Sequence, residues 1–362
     1  MTIGGSPSTE TQNYDRAKEV KEFDDSKIGV KGLVDSGITS IPRIFIHPPE
    51  NLPKPNPTTN SNSHQIPTID LSEPRSVTVD QIRQASRTFG FFQITNHGIP
   101  LNVIHRMIDS VKEFNQQPTE IKSRHYSREM GRGVVFSTNF DLYQSKAASW
   151  RDTLQVKLGP APIKSDLLPE MCKVEIIEWD REVKRVGETL MEILSVGLGL
   201  DEKRLKQMSF LESRTMAAHY YPYCPQPDQT VGLLPHRDPG VITILLQDQI
   251  GGLQVKHGED WINVKSIDGA LVINISDILQ MVSNGEYRSV EHRVLANPNE
   301  QPRISVGVFF NPGNREELYG PLPELVSDEK PALYRQFTLT EYLGKLFSRG
   351  LDGKPFIDQF KL

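Results

Sequence analysis

His236-Arg237-Asp238-Pro239-Gly240-Val241-Ile242-Thr243-Ile244-Leu245-Leu246 sets an imidazole and a carboxylate two residues apart, just ahead of an apolar, β-branched run of strand length. Successive side chains of an extended chain point to opposite faces, so His236 and Asp238 project together while Arg237 turns away. A further histidine, His292, lies in Ser289-Val290-Glu291-His292-Arg293-Val294-Leu295, where Val290, His292 and Val294 share one face of another strand-like run. Two imidazoles and one carboxylate on one side of a metal leave three coordination positions open, the arrangement that suits a non-haem Fe(II). His236, Asp238 and His292 are therefore the candidate metal ligands and the candidate catalytic centre.

Between these runs, Leu253 to His257, Trp261 to Val264 and Ala270 to Ser276 are short apolar stretches separated by Gly251-Gly252, His257-Gly258 and Asp268-Gly269. Many short strands at close spacing predict a mainly β fold with flanking helices. A jelly roll (double-stranded β-helix) core would bring the two ligand-bearing strands together. Ile176, Trp179, Val183, Val186, Leu190 and Ile193 recur at intervals of three and four, which predicts one long supporting helix over residues 173–198.

Three further runs carry a resemblance. They are His219-Tyr220-Tyr221-Pro222-Tyr223-Cys224-Pro225-Gln226-Pro227, the stretch from Ser283 to Val294, and Phe89-Gly90-Phe91-Phe92-Gln93-Ile94-Thr95-Asn96-His97-Gly98-Ile99-Pro100. Together with His236-Arg237-Asp238, His292 and Arg303-Ile304-Ser305, and in this order from about residue 66 onward, they are similar to the plant 2-oxoglutarate- and Fe(II)-dependent dioxygenases. The N-terminal Gly29-Val30-Lys31-Gly32-Leu33-Val34-Asp35-Ser36-Gly37 resembles the branch of 1-aminocyclopropane-1-carboxylate oxidase homologues, a label of ancestry rather than activity.

The resemblance implies hydroxylation of a small plant specialised metabolite with Fe(II), 2-oxoglutarate as co-substrate, O2, and ascorbate as reductant, releasing succinate and CO2. Arg303 and Ser305 face the same way on a strand, and an arginine fork grips a carboxylate through two charge-assisted hydrogen bonds. With Tyr221 they are the expected 2-oxoglutarate contacts. Residues 293 to 302 separate His292 from Arg303, as the family pattern expects. Phe309, Thr153 and Phe140 are the expected substrate contacts. One departure stands out: His219 occupies a position where the family carries asparagine. O-demethylation and desaturation remain open for the same site. So do an ascorbate-dependent activity of the 1-aminocyclopropane-1-carboxylate oxidase type, a zinc hydrolase and a metabolite-binding protein without catalysis.

The resemblance and the composition changes divide the 362 residues into five stretches. These are an N-terminal extension and linker (1–64), an N-terminal dioxygenase region (65–170), supporting helices (171–212), the Fe(II)/2-oxoglutarate core (213–315) and a C-terminal helical segment (316–362). Residues 1 to about 14 are polar and expected to be disordered, and the Pro-, Asn- and Ser-rich stretch from Pro49 to His64 reads as linker. The apolar residues between Ile28 and Ile46 cannot bury themselves alone and should pack on the main body. A net charge of −5 with both signs interspersed gives no basic footprint for nucleic acid. No run of about 18 apolar residues predicts a membrane span. Cys172 and Cys224 are too few for a disulfide framework and fit a reduced, cytoplasmic protein, for which a monomer is the default expectation.

Overall fold

The computed structural model describes residues 14–53, 65–129, 131–349 and 356–362, with side chains 347–349 left undescribed. Residues 1–13 and most of the Pro49–His64 linker, for which disorder and a linker role are expected, lie outside that description, as does Gly350. Eight α-helices are present among the described residues: α1 Arg16–Ser26, α2 Gly29–Asp35, α3 Arg75–Thr88, α4 Leu101–Gln116, α5 Thr119–Lys122, α6 Lys173–Gly197, α7 Asp277–Val282 and α8 Leu339–Arg349. The strands of the first half are β1 Thr68–Asp70, β2 Phe91–Thr95, β3 Val134–Ser137, β4 Asp152–Lys157, β5 Ser213–Tyr221, β6 Val231–His236 and β7 Ile242–Gln247. Those of the second are β8 Leu253–His257, β9 Asp260–Asn263, β10 Leu271–Ile275, β11 His292–Leu295, β12 Arg303–Asn311, β13 Leu318–Tyr319 and β14 Phe337–Thr338.

The expected jelly roll is corrected by the strand pairing. One eight-stranded sheet runs β1-β2-β10-β7-β12-β5-β4-β3, a second of four strands runs β6-β11-β8-β9, and β13 pairs with β14. Each order has two ends, so no sheet closes into a barrel, and with its helices the architecture is mixed α/β rather than mainly β. The physical reason is long-range pairing. The central β10 pairs with β2, which recruits β1 in parallel, while β5 pairs with β4, which recruits β3. Strand length and alternation are local properties of a sequence; which edge a strand joins is not.

The large sheet and the long helix bury each other. Ile176, Trp179, Val183, Val186, Leu190 and Ile193 of α6 form one apolar stripe, all within the main core beside Ile304, Val306, Val308 and Phe310 of β12. Each such fully buried side chain contributes about 1.5–3 kcal/mol. The opposite face of β12, which carries Arg303, Ser305, Gly307 and Phe309, is thereby left for the site. A smaller cluster joins Phe91, Tyr221 and Val272 of the large sheet to Leu253, Val255 and Val294 of the four-stranded one.

The N-terminal segment packs on the body, as its apolar content requires. Val20, Val30, Ile41, Ile44 and Phe45 cluster with Leu142, Ala148 and Trp150. The backbone amides of Val30 and Lys31 at the start of α2 each donate to the buried Asp152 carboxylate at 2.8 Å. Gly29 is required there: its φ is +71°, and a Cβ would sit 2.6 Å from both Asp152 carboxylate oxygens.

Candidate metal centre and its acid-binding pocket

His236 ends β6 and His292 begins β11, and the two are directly paired across the four-stranded sheet. Asp238 follows in the turn towards β7. The three groups converge: Nε2 of His236 lies 3.5 Å and Nε2 of His292 3.6 Å from the same Asp238 oxygen, Oδ1. One ligand atom from each residue lies within 4.8 Å of the others, the spacing of groups able to share one ion.

The second layer leaves those atoms free. Thr243 Oγ1 and Asn274 Nδ2 donate to the other Asp238 oxygen, Oδ2, at 2.5 and 2.6 Å. His236 Nδ1 lies 2.8 Å from the Leu234 carbonyl, which fixes that nitrogen as the donor and leaves Nε2 as a lone-pair ligand. Burial pushes the His292 imidazole down to about 4, with the charge of His236 acting the same way, so it is neutral at physiological pH, as a ligand must be. Burial alone would push the Asp238 carboxyl up; the facing His292 and His236 and the Thr243 hydroxyl outweigh it and hold the carboxyl well below its usual range. Two imidazoles and a carboxylate with their ligand atoms converging are the donor set of a divalent cation, so the residues fit Fe(II).

Beyond the triad, Arg303 is 1% exposed and has no acidic side chain paired with it among the described residues. Its terminal nitrogens donate to Ser305 Oγ at 3.1 Å and Gln247 Oε1 at 3.0 Å, its Nε is unpartnered, and the guanidinium stacks 4.9 Å over the Tyr221 ring. A buried guanidinium held only by neutral groups has unused capacity for an anion, and a planar fork suits a carboxylate. Tyr221, Arg303 and Ser305 are thus brought together; Gln247, which the sequence reading missed, joins them.

The remaining expectations divide. Phe309 is half-buried on the Arg303 face of β12 and pairs in register with Thr243, the residue that holds Asp238. Thr153 lies opposite His219, its hydroxyl 3.0 Å from His219 Nδ1. Phe140 is 52% exposed between β3 and β4, away from the buried groups. His219 does not join the metal group among the described residues. Burial, then the charges of Arg151 and Arg303, push its imidazole well below the usual range, so it is a neutral hydrogen-bonding group. Thr243 and Asn274 were also missed, although a lone asparagine inside the apolar Leu271-Val272-Ile273-Asn274-Ile275 was the available signal.

Comparison with known proteins agrees with this geometry. Residues 212–312 match the 2OG-Fe(II) oxygenase superfamily model, and residues 66–170 match the model for the N-terminal region of non-haem dioxygenases in morphine synthesis. The chain is 47% identical over 351 residues to 1-aminocyclopropane-1-carboxylate oxidase homolog 1 of Arabidopsis thaliana, covering 94% of each chain. It is 43% identical over 368 residues to a 1-aminocyclopropane-1-carboxylate oxidase homolog of Solanum lycopersicum, covering 99% of each. Among solved structures, JOX2 in complex with 2OG, Fe and JA superposes with a TM-score of 0.82 at 31% identity, over 92% of this chain and 97% of that one. The rice dioxygenase for auxin oxidation superposes with a TM-score of 0.69 at 22% identity, over 82% and 100%, a likeness of fold alone.

Proposed function

The chain belongs to the 2OG-Fe(II) oxygenase superfamily, on the branch of 1-aminocyclopropane-1-carboxylate oxidase homologues, and from that premise we propose that it hydroxylates a small plant specialised metabolite. It is an oxidoreductase that uses Fe(II) and 2-oxoglutarate. In our reading His236, Asp238 and His292 hold the metal, and Arg303, Ser305 and Tyr221 hold the distal carboxylate of 2-oxoglutarate. The observation that carries this reading is the single Asp238 oxygen facing both imidazoles while its partner oxygen is occupied by Thr243 and Asn274.

When bound, the iron supplies, with O2 and 2-oxoglutarate, the oxidant for a C–H bond, with succinate and CO2 released and ascorbate keeping the metal reduced. The chain's own work is positional. Thr243 and Asn274 hold the Asp238 carboxylate in one orientation; the Leu234 carbonyl sets the His236 tautomer. Arg303 fixes one end of the co-substrate, with Gln247 and Ser305 keeping the guanidinium in place. Phe309 and Thr153 bound the space in which the substrate carbon is held, and burial excludes water. Two buried free thiols support a cytoplasmic location, and no helix among the described residues is long and apolar enough to cross a membrane.

The test is the product. Incubation with a pooled extract of plant phenolics and alkaloids under isotopically labelled O2 should yield a metabolite carrying one labelled oxygen atom. A product lacking a methyl group or two hydrogens, with no oxygen gained, would replace hydroxylation by demethylation or desaturation.

A further inference from the structure

We propose that Arg151 anchors a carboxylate on the substrate itself, so that the molecule oxidised here is a small monoanionic carboxylic acid. This rests on the metal and 2-oxoglutarate reading given above and adds the chemical class of the substrate to it.

Arg151 is 6% exposed, its Nε has no partner, and its side chain makes no hydrogen bond or ion pair among the described residues. A guanidinium withdrawn from water without a counter-charge is costly, and it persists where an anion completes it. Position says which anion. Arg151 immediately precedes β4, where Asp152, Leu154 and Val156 are buried towards the core and Thr153 faces His219. By alternation Arg151 shares the side of Thr153, not that of Asp152. Thr153 pairs in register with His219 and His219 with Ser305, so the side of β4 that Arg151 shares continues the face of the sheet that carries Arg303 and Ser305. Asp141 is the acid whose carboxyl feels Arg151: burial raises it and the Arg151 charge lowers it, but the two form no ion pair.

On the proposed reading, Arg303 is matched by the distal carboxylate of 2-oxoglutarate. His219 is neutral and Asp152 is spent on the N-terminal amides and Thr138. The Arg151 guanidinium has no ion-paired carboxylate among the described residues, and one substrate carboxylate would supply it. A neutral phenol or alkaloid would leave it buried and unpaired.

The experiment compares phenylacetate, phenylpropionate, hexanoate and octanoate with their own carboxamides, by calorimetric titration into metal-free protein and into protein loaded with Mn(II) and 2-oxoglutarate. At least one acid should bind about tenfold or more tighter than its amide, the scale of a buried hydrogen bond to a charged group. In Arg151→Gln that preference should shrink to about twofold or less, and Arg151→Lys should keep an intermediate one. Both variants should bind 2-oxoglutarate in the presence of Mn(II) as the parent does, which also certifies their fold. No acid preferred over its amide, a preference that survives Arg151→Gln, or loss of 2-oxoglutarate binding in that variant would overturn the assignment. Failure of the parent protein to bind 2-oxoglutarate with Mn(II) would instead sink the site reading beneath it.

Discussion

Thr243 donates its hydroxyl to Oδ2 of Asp238 at 2.5 Å, and this hydrogen bond decides which carboxylate oxygen faces the histidines. Thr243 sits on β7 of the large sheet, Asn274 on the neighbouring β10, and the histidines on the four-stranded sheet. The metal centre is therefore assembled across two sheets, and its geometry depends on how they are held together.

Thr243→Val removes the donor and keeps the shape. The Asp238 carboxylate is then held by Asn274 alone and can rotate away from the imidazoles. Metal affinity should fall by about 10–100-fold, the usual cost of losing an outer hydrogen bond to a ligand. Anaerobic Fe(II) titration of the folded variant checks this, and unchanged affinity would show that Asn274 suffices.

Arg303→Leu should abolish measurable 2-oxoglutarate binding, a loss of about 2–5 kcal/mol for a buried charged contact. The cleanest readout is thermal. 2-Oxoglutarate with Mn(II) should raise the Tm of the parent protein by mass action and leave that of the variant where it was.

Asp24 ties α1 to the body through Arg128, Tyr126 and Tyr143. Burial pushes its carboxyl up, but hydrogen bonds from Arg128 and Tyr126 outweigh that and leave it below the ordinary value. A carboxyl lowered on folding contributes its stability in full above the unfolded value of about 4 and loses it as pH falls through the folded value. Hydrogen-exchange protection factors of residues 16–26, taken relative to the intrinsic rate at each pH, should therefore be high and flat from neutral pH down to about pH 5 and fall in stronger acid. Asp24→Asn should show the lowered protection already at neutral pH.

The C-terminal segment is built into the core of the fold. Tyr334, Phe337, Leu339, Tyr342, Phe356, Ile357 and Phe360 lie in the main core, and the Tyr342 hydroxyl donates to the buried Asp277 carboxylate at 2.8 Å. The Asp277 amide in turn donates to the Asp238 carbonyl at 3.0 Å. Truncation after Pro331 should expose core and unfold the protein. Tyr342→Phe, the milder probe, should cost about 1–3 kcal/mol in a denaturant titration by stranding Asp277.

The chemistry was legible where it depends on alternation along one strand. Arg303 and Ser305, two residues apart on β12, keep one face; His236 and Asp238 also converge, although Asp238 lies in the turn past the end of β6. The 3.6-residue period likewise marked α6 almost to the residue. What could not be read was set by pairing between distant strands. Nothing local in β10 says that it joins β2, and so the open eight-stranded sheet was mistaken for a closed roll. The same long-range pairing brings Thr243, Asn274 and Gln247 to the site. These residues carry no spacing signal of their own, because their partners lie 5, 36 and 56 residues away, counted to Asp238 and Arg303.

The most direct measurement is succinate formation by the purified protein with Fe(II), ascorbate, O2 and 2-oxoglutarate, with and without the pooled plant extract. Extract-stimulated succinate that disappears in a folded Asp238→Ala variant is the expected result. No succinate under any addition with metal bound, or undiminished succinate from Asp238→Ala, would contradict the assignment of this centre.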